Sequence, residues 1–310
     1  FEVVRCLHST PQVSGRATRV WLVRRKGRYY VLKDSWPLQM MPFSEIRHLL
    51  KINHTIMNDE EMRDSLKHTY PTLIVGQELG DSTDIRRVEV PHKPHPRIHR
   101  RIVTKPIGDP LTSFRSKFEL CSVLCDVVTY LRYSAEKCKI CHGDISLNNI
   151  VINRIWDNDD GDEEINDNID DINVESISSS SGNRSNSCSD NMAPNIVVNE
   201  NSASKIAGFG MGTLPFMALD ALKWKIPTEF KHLPKHDLES LFYVIITLCT
   251  YVNGPGCLRP STPVANEPSL CLNEWWATYD HHSLARQKGV MLSTFKDYIL
   301  ERLPPYWNDF

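Results

Sequence analysis

Apolar and β-branched residues concentrate in two short runs near the N-terminus, and a basic turn separates them. The runs cover residues 19–23 and 29–33. This arrangement predicts an antiparallel hairpin whose second strand ends in Lys33. The apolar residues of 43–52 then recur at helical spacing with Glu45 beside the apolar face. A short helix is therefore expected to pack on the hairpin.

The same patterns predict further strands, loops and helices along the rest of the chain. A proline- and histidine-rich run at 91–96 is expected to be a loop. Three- and four-residue spacing between positions 113 and 137 predicts a long amphipathic helix with an apolar face of Phe114, Phe118, Cys121, Leu124, Val128 and Leu131. Other strands are expected at 71–75, 86–90 and 100–104, an extended segment at 105–110, and helices at 238–249 and 284–302.

The long helix leads directly into residues 141–152, which carry the most informative chemistry of the sequence. Asp144 and Asn149 stand five residues apart in Cys-His-Gly-Asp-Ile-Ser-Leu-Asn-Asn-Ile-Val-Ile, just before an apolar strand. In phosphoryl-transfer loops an aspartate at this place accepts the proton of the attacking hydroxyl, and the asparagine holds a magnesium ion on the nucleotide phosphates. A polar turn with the same residues is the simpler alternative, and the rest of the chain decides between the two.

Residues 157–204 differ in composition from the rest of the chain. An Asp/Asn/Glu run is followed by a Ser/Asn run with few large apolar side chains, which indicates a disordered insert. Ten of the 38 acidic residues lie in 157–175, so the rest of the chain has 36 basic and 28 acidic residues and is therefore basic. Such a surplus suits an enzyme with a nucleotide substrate, whereas no Lys/Arg block is dense enough to favour nucleic-acid binding.

Cysteine usage and hydropathy indicate the cellular compartment of the protein. Nine cysteines, an odd number without a framework, indicate free thiols in a reducing environment, the cytosol or the nucleus. The longest apolar stretch, 241–252, is well short of the roughly 20 residues of a membrane helix, and no secretory signal is visible. The chain opens with Phe1 rather than Met, so the native N-terminus is expected to lie outside this sequence. An intracellular protein without a membrane partner is expected.

Three stretches resemble the protein-kinase fold, and more narrowly the fungal-type protein kinase family. Val-Leu-Lys-Asp-Ser-Trp at 31–36 is similar to the strand that ends in the phosphate-binding lysine, and 142–150 is similar to the catalytic loop. The most family-specific part is 212–218 followed by 235–243. The resemblance implies an α+β, bilobal, protein-kinase-like fold. Its parts would be a small antiparallel-sheet N-lobe over 1–104, a hinge over 105–112, and a mainly helical C-lobe over 113–310 that contains the insert.

The resemblance also implies an ATP site. Lys33 would bind the α- and β-phosphates and be held by Glu45 in an ion pair. Gly15 and Val20 align with the second glycine and the following valine of a glycine-rich loop. Two other glycine positions of that loop hold larger residues, so fewer backbone amides can approach the phosphates. The implied nucleotide-binding residues are Gly15, Val20, Lys33, Ile107 and Gly108.

Further roles follow from the resemblance around the catalytic loop. Asp144 would be the base, Asn149 the magnesium ligand, and Thr213 the threonine that lies beside the base in Ser/Thr-type kinases. Asp237 would accept hydrogen bonds from the backbone of the catalytic loop, with a simple helix N-cap as the alternative. Residues 216–220 would form the platform for the substrate chain.

Two glycines depart from the family pattern. Gly208, in Ala-Gly-Phe-Gly, stands where kinases carry the aspartate that binds magnesium between the β- and γ-phosphates. A missing ligand that costs about 4 kcal/mol of transition-state stabilisation lowers the rate about a thousandfold. Gly143 replaces the arginine that reads a phosphorylated activation loop, and only twelve positions separate Gly208 from Asp220. No activation-loop switch is therefore expected.

These features leave three functions open. The first is a Ser/Thr-type protein kinase that transfers the γ-phosphate of ATP to a protein hydroxyl at an impaired rate. The second is a pseudokinase that acts as a scaffold or binding module. The third is a small-molecule phosphotransferase, because the catalytic loop of such enzymes also has the sequence His-Gly-Asp. These enzymes lack a substrate platform like residues 212–218, which argues against this function. ATP, magnesium and a protein substrate or partner are the ligands implied.

Overall fold

The fold is α+β, with an antiparallel sheet in the N-terminal part and helices after it. The computed structural model describes residues 1–9, 16–39, 44–87, 95–154, 213–224, 230–259, 272–278 and 280–309. Apart from Arg154, these residues belong to one compact unit made of 1–153 and 196–310. The predicted α+β class is confirmed, and the division into two lobes joined by a hinge stays a prediction. The predicted insert, 157–204, lies outside the described residues.

Five strands form the N-terminal sheet in the order β1-β2-β3-β5-β4, with every neighbouring pair antiparallel. They are β1 (Glu2–Ser9), β2 (Arg19–Arg25), β3 (Arg28–Ser35), β4 (Thr72–Ser82) and β5 (Ile98–Lys105). The predicted hairpin is confirmed as β2 and β3, and the strands predicted at 71–75 and 100–104 lie in β4 and β5.

The strand predicted at 86–90 is wrong in its described part. Ile85–Arg87 forms a 3₁₀ turn, and residues 88–90 lie outside the described residues. The Ser82 hydroxyl accepts a hydrogen bond from the amide of Ile85 at 3.3 Å, which turns the chain away from the sheet.

Helix α1 (Glu45–Met57) connects the sheet to the segment before the predicted catalytic loop. Ser44 caps it, because its Oγ accepts a hydrogen bond from the amide of Ile46 at 3.2 Å. The first half of the buried face packs on Ile102 of β5. The second half packs in a separate cluster of Ile52, Ile56, Leu66, Tyr70, Tyr133, Cys138 and Ile140. The predicted helix is therefore confirmed, but its predicted packing on the β2–β3 hairpin is wrong, because its apolar face lies against Leu73 of β4 and Ile102 of β5.

Helix α2 (Arg63–Leu66) is short, whereas α3 (Lys117–Tyr133) is long and continues into a π-helical turn, Ser134–Cys138. The long predicted helix is confirmed, but its predicted apolar face is partly wrong. Phe118 is 81% exposed, and the buried residues are Leu120, Leu124, Leu131 and Tyr133. The reason is that α3 begins only after its N-cap Ser116, so Phe114 lies outside the helix and does not fix its face.

Two short strands, β6 (Asp109–Pro110) and β7 (Val151–Ile152), pair with each other on either side of α3 in sequence. The helices that follow are α4 (Leu219–Lys223), α5 (Pro234–Tyr251), α6 (Asn273–Ala277), α7 (His281–Ser293) and α8 (Phe295–Tyr298). Buried side chains of α3, α5, α6 and α7 share one apolar core with those of β7. The helix predicted at 238–249 is confirmed within α5. None of the helices in the described ranges combines the length and hydropathy that crossing a membrane requires.

Candidate active site

The predicted catalytic loop lies between the π-helical turn and β7. Three buried side chains, Ile145, Ser146 and Ile150, anchor it from below. Gly143 has a φ of +76°, in the left-handed region where a side chain would strain the backbone. The backbone conformation therefore accounts for a glycine at the position where the resemblance leads one to expect arginine.

Asp237, which is buried in the first turn of α5, holds the backbone of this loop. Its two carboxylate oxygens accept hydrogen bonds from the amides of His142 and Gly143, each at 2.8 Å. The predicted contact between Asp237 and the loop is confirmed. The alternative N-cap interpretation is wrong, because α5 begins at Pro234 and its N-cap is Leu233.

A histidine pairs with the same carboxylate. Nε2 of His232 lies 2.9 Å from Oδ1 of Asp237, and both side chains are largely buried. Burial alone would raise the pKa of Asp237, but the His232 ring and the two loop amides outweigh burial, so the pKa lies below its ordinary value. No motif in the sequence indicates His232, and its position five residues before Asp237 is the one signal that points to it.

Asp144 lies at the centre of the candidate site. Oγ1 of Thr213 donates to Oδ1 of Asp144 at 3.0 Å, and a guanidinium nitrogen of Arg16 lies 3.4 Å from Oδ2. The side-chain amide of Asn149 donates to the main-chain carbonyl of Asp144 at 2.7 Å. The structure thus brings three predicted site residues, Asp144, Asn149 and Thr213, together with one that the sequence did not indicate, Arg16.

Lys33 and Glu45 form an ion pair, as the resemblance leads one to expect. Nζ of Lys33 lies 2.7 Å from Oε1 of Glu45, which is the first residue of α1. Desolvation would raise the pKa of Glu45, but the charge and hydrogen bond of Lys33 prevail and hold that pKa below its ordinary value. Val20 stands directly opposite Lys33 in the β2–β3 register, so the two side chains share one face of the sheet.

The ion pair and the catalytic loop lie around a common region. The ring of His142 is close enough to Lys33 and Glu45 to interact electrostatically with both. Arg16, which contacts Asp144, is also close enough to act on Glu45. Residues of the sheet and residues of the loop therefore meet at one site.

The predicted hinge contacts the strand that follows the catalytic loop. Ile107 and Gly108 lie between β5 and β6, and β6 pairs with β7. A Cβ added to Gly108 would stand 2.4 Å from Cγ2 of Val151 and 3.1 Å from the carbonyl oxygen of Ile152. Only glycine lets the two backbones approach this closely, so Gly108 fixes the distance between the hinge and β7.

Metal binding near the loop depends on few side chains. Because the amide nitrogen of Asn149 donates to Asp144, its Oδ1 is the atom that remains to bind a cation. In the described ranges, no group of three or more His, Cys, Asp or Glu side chains is arranged to hold a metal ion. Asn149 thus fits a magnesium ion that takes most of its ligands from phosphate oxygens and water. Gly15 and Gly208 lie outside the described residues.

The predicted substrate platform lies beside Thr213, and a buried lysine supports it. Phe216, Met217 and Ala218 are buried below the surface of this segment. Nζ of Lys288 donates to the main-chain carbonyl of Met217 at 2.6 Å and lies 3.6 Å from the ring centroid of Tyr243. Burial lowers the pKa of Lys288 well below its ordinary value. No motif in the sequence indicates Lys288, which is 71 residues from Met217 in the chain.

A pocket opens between the platform and the catalytic loop. Its lining includes Gly143, Asp144, Thr213, Met217, Ala218 and His232. The pocket therefore lies on the Thr213 side of Asp144, and the Lys33–Glu45 pair is not part of its wall.

Comparison with known proteins gives the family. The model of the fungal protein kinase family matches residues 1–249, which include the sheet, the predicted hinge, the predicted catalytic loop and most of α5. A search of curated proteins finds no match. The family match spans well over half of the chain, and its range contains both the Lys33–Glu45 pair and the loop of Asp144. The chain belongs to the fungal protein kinase family.

Proposed function

We propose that the protein transfers the γ-phosphate of ATP to a hydroxyl group of a protein substrate, as a Ser/Thr-type kinase with an impaired rate. The observation that carries this proposal is the environment of Asp144. Its carboxylate accepts a hydrogen bond from Thr213, and its main-chain carbonyl accepts one from Asn149. A turn that is merely polar would not need either contact, whereas a base must be oriented toward the hydroxyl that it deprotonates.

Asp144 is proposed to accept the proton of the substrate hydroxyl. The hydroxyl oxygen forms a bond to the γ-phosphorus, the bond from that phosphorus to the bridging oxygen breaks, and ADP leaves with the electron pair. Thr213 keeps one carboxylate oxygen fixed during this step, and Asp237 keeps the loop backbone fixed. In this proton transfer, the chain's own contribution is thus the orientation of a single carboxylate.

Lys33 is proposed to bind the α- and β-phosphates, with Glu45 holding the ammonium group in place. Ile107, Gly108 and Val20 are proposed to line the site of the adenosine part. Magnesium, when bound at Asn149 and the phosphates, would neutralise phosphate charge. Because Gly208 supplies no carboxylate, we expect transfer about a thousandfold slower than with an aspartate there.

The platform supports a protein substrate over a small molecule. The pocket beside Asp144 is lined by Met217 and Ala218 of the predicted platform, so that segment lies directly beside the proposed base. The buried contact of Lys288 with Met217 holds that surface in place. A pseudokinase remains the second candidate, and the observation that favours it is Gly208.

Nucleotide binding is the first test. Purified protein is heated with ATP, with and without magnesium, and the midpoint of unfolding is compared among the wild type, Lys33→Ala and Lys26→Ala. ATP at 100 times its dissociation constant should stabilise the wild type by about 2.7 kcal/mol. Lys33→Ala should lose this shift. Lys26→Ala, at the exposed turn between β2 and β3, should keep it. Equal ATP-induced shifts of the unfolding midpoint for all three proteins would show that Lys33 does not bind the nucleotide.

Phosphate transfer is the second test. The wild type and Asp144→Asn are incubated with radiolabelled ATP, magnesium and a generic protein substrate. Transfer that Asp144→Asn abolishes supports the kinase. ATP binding without Asp144-dependent transfer identifies a nucleotide-binding pseudokinase. Transfer to aminoglycosides or choline, but not to protein, would identify a small-molecule phosphotransferase.

A further inference from the structure

Arg16 reaches the candidate site from the segment just before β2. Its main-chain carbonyl accepts a hydrogen bond from the amide of Trp36 at 2.7 Å, which fixes its backbone beside the end of β3. From there the guanidinium extends to Oδ2 of Asp144 at 3.4 Å. Arg16, which lies just before β2, is thus a residue of the N-terminal part that contacts the proposed base.

The contact with Asp144 leaves the guanidinium available to a stronger anion. The Arg16 side chain is 62% exposed and the Asp144 side chain 24% exposed, and a long, exposed ion pair of this kind contributes little to stability. A triphosphate carries more negative charge than one carboxylate and presents pairs of oxygens that match the planar guanidinium. Arg16 is therefore placed to exchange Asp144 for a phosphate.

Arg16 and Lys33 act on the same acidic group. Desolvation works against the charged form of Glu45, and the cations that favour that form include Lys33, Arg100 and Arg16. Arg16 is thus near the predicted phosphate position of Lys33 and also near the predicted base. Between these two points lies the place where the transferred phosphate must be in the proposed reaction.

We propose that Arg16 binds the terminal phosphates of the nucleotide as a second cation beside Lys33, and that it leaves Asp144 when the nucleotide binds. This inference rests on the proposed function and adds a substrate-binding residue to it. A permanent positive charge at this point would neutralise part of the phosphate charge. In kinases that carry an aspartate at the position of Gly208, a bound metal ion neutralises that charge. The departure of Arg16 would also free Oδ2 of Asp144 for the substrate hydroxyl.

The test measures nucleotide affinity by calorimetry on the full chain. Arg16→Ala is compared with the wild type, Arg16→Lys and Arg19→Ala, using ATP and adenosine, in EDTA and in magnesium. Arg19 is a matched control, because it stands opposite Asp34 rather than Lys33 and so lies on the other face of the sheet. Unchanged thermal unfolding without ligand shows that each variant folds.

We expect Arg16→Ala to weaken ATP binding about tenfold or more, in line with the loss of a charge-assisted hydrogen bond. The loss should be larger in EDTA than in magnesium. Arg16→Lys should be intermediate, since it keeps the charge without the planar fork. Adenosine affinity of every variant, and ATP affinity of Arg19→Ala, should match the wild type.

Two outcomes overturn the inference alone. One is ATP binding that depends on Lys33 but is the same in Arg16→Ala and the wild type. The other is tighter ATP binding and faster transfer in Arg16→Ala, which would make the contact with Asp144 inhibitory. Absence of ATP binding by the wild type, in which case Lys33→Ala changes nothing, overturns the proposed function together with the inference.

Discussion

The carboxylate of Asp237 is buried, yet it stays charged because it has three partners. The amides of His142 and Gly143 and the ring of His232 satisfy both of its oxygens. A buried carboxylate without such partners would be strongly destabilising. The loop of Asp144 therefore depends on a charge that lies 94 residues from Gly143 in the chain.

Asp237→Asn should lower the free energy of unfolding by about 2 kcal/mol at neutral pH, because a carboxamide cannot accept from both amides. The pKa of Asp237 is lowered in the folded protein, so its stabilising effect is present above the ordinary value of 3.8 and is lost as the pH falls through the folded value. Urea unfolding between pH 7 and pH 3 should show a difference between the two proteins that shrinks only at the acid end.

Asp64→Asn serves as the control, because Asp64 is an exposed aspartate of α2. Its effect should stay within about 0.5 kcal/mol. If Asp237→Asn also stays within that limit, or if its effect does not change at acid pH, the charge of Asp237 is not what holds the loop.

The hydroxyl of Thr213 provides a second prediction for a single residue. Thr213→Val keeps the side-chain volume but removes the donor to Oδ1 of Asp144, and Thr213→Ser keeps the donor. A hydrogen bond to a charged group is worth about 1.5–3 kcal/mol, so Thr213→Val should lower kcat for phosphate transfer tenfold or more, with KM for ATP unchanged. Equal losses in both variants would assign the effect to packing of the methyl group instead.

Individual helices and strands show which local sequence signals are sufficient to predict an element. The β2–β3 hairpin and the start of α1 were predictable, because Ser44 and Glu45 provide a cap and an acidic first turn. Strand β1 was not predictable, since every one of its residues is exposed and no buried face imposes an alternating pattern. The predicted buried face of α3 is partly wrong, because Phe118 fits the helical spacing of that face but faces solvent.

The contact between Gly108 and β7 yields a prediction for an element. Gly108→Ala places a methyl group within 2.4 Å of Cγ2 of Val151, so it should destabilise the protein by about 1–3 kcal/mol. Val151→Ala alone should have a smaller effect, because Val151 is partly exposed. The Cβ that Val151→Ala keeps would still stand 2.6 Å from the added methyl group, so the double variant should recover only part of the loss in a double-mutant cycle of urea unfolding. Additive effects would mean that Gly108 is needed for its backbone freedom and not for the close approach.

At the scale of the whole molecule, the residues that support the site come from distant parts of the chain. Motif spacing pointed to Lys33, Asp144 and Asn149, because each lies in a short stretch with its own pattern. Arg16 and Lys288 have no such pattern, and their partners are 128 and 71 residues away. The tertiary fold alone brings these cations to Asp144 and Met217, so the sequence could not show them.

Lys288 of α7 contacts Met217 and also Tyr243 of α5, and its burial makes stability depend on pH. Its folded pKa lies well below the ordinary value of 10.5, so in the interval between the two values the unfolded chain binds more protons than the folded one. The free energy of unfolding therefore rises with pH through that interval, by up to about 1.4 kcal/mol per pH unit.

Lys288→Met removes this titration while keeping a long apolar side chain over Tyr243. Urea unfolding between pH 6 and pH 10 should show the wild type gaining stability relative to Lys288→Met as the pH rises. Lys296→Met, at an exposed position of α8, should follow the wild type at every pH. Parallel curves for the wild type and Lys288→Met would mean that Lys288 keeps its proton equally well in the folded and unfolded chains. The contact with the Met217 carbonyl would then be strong enough to offset the loss of hydration.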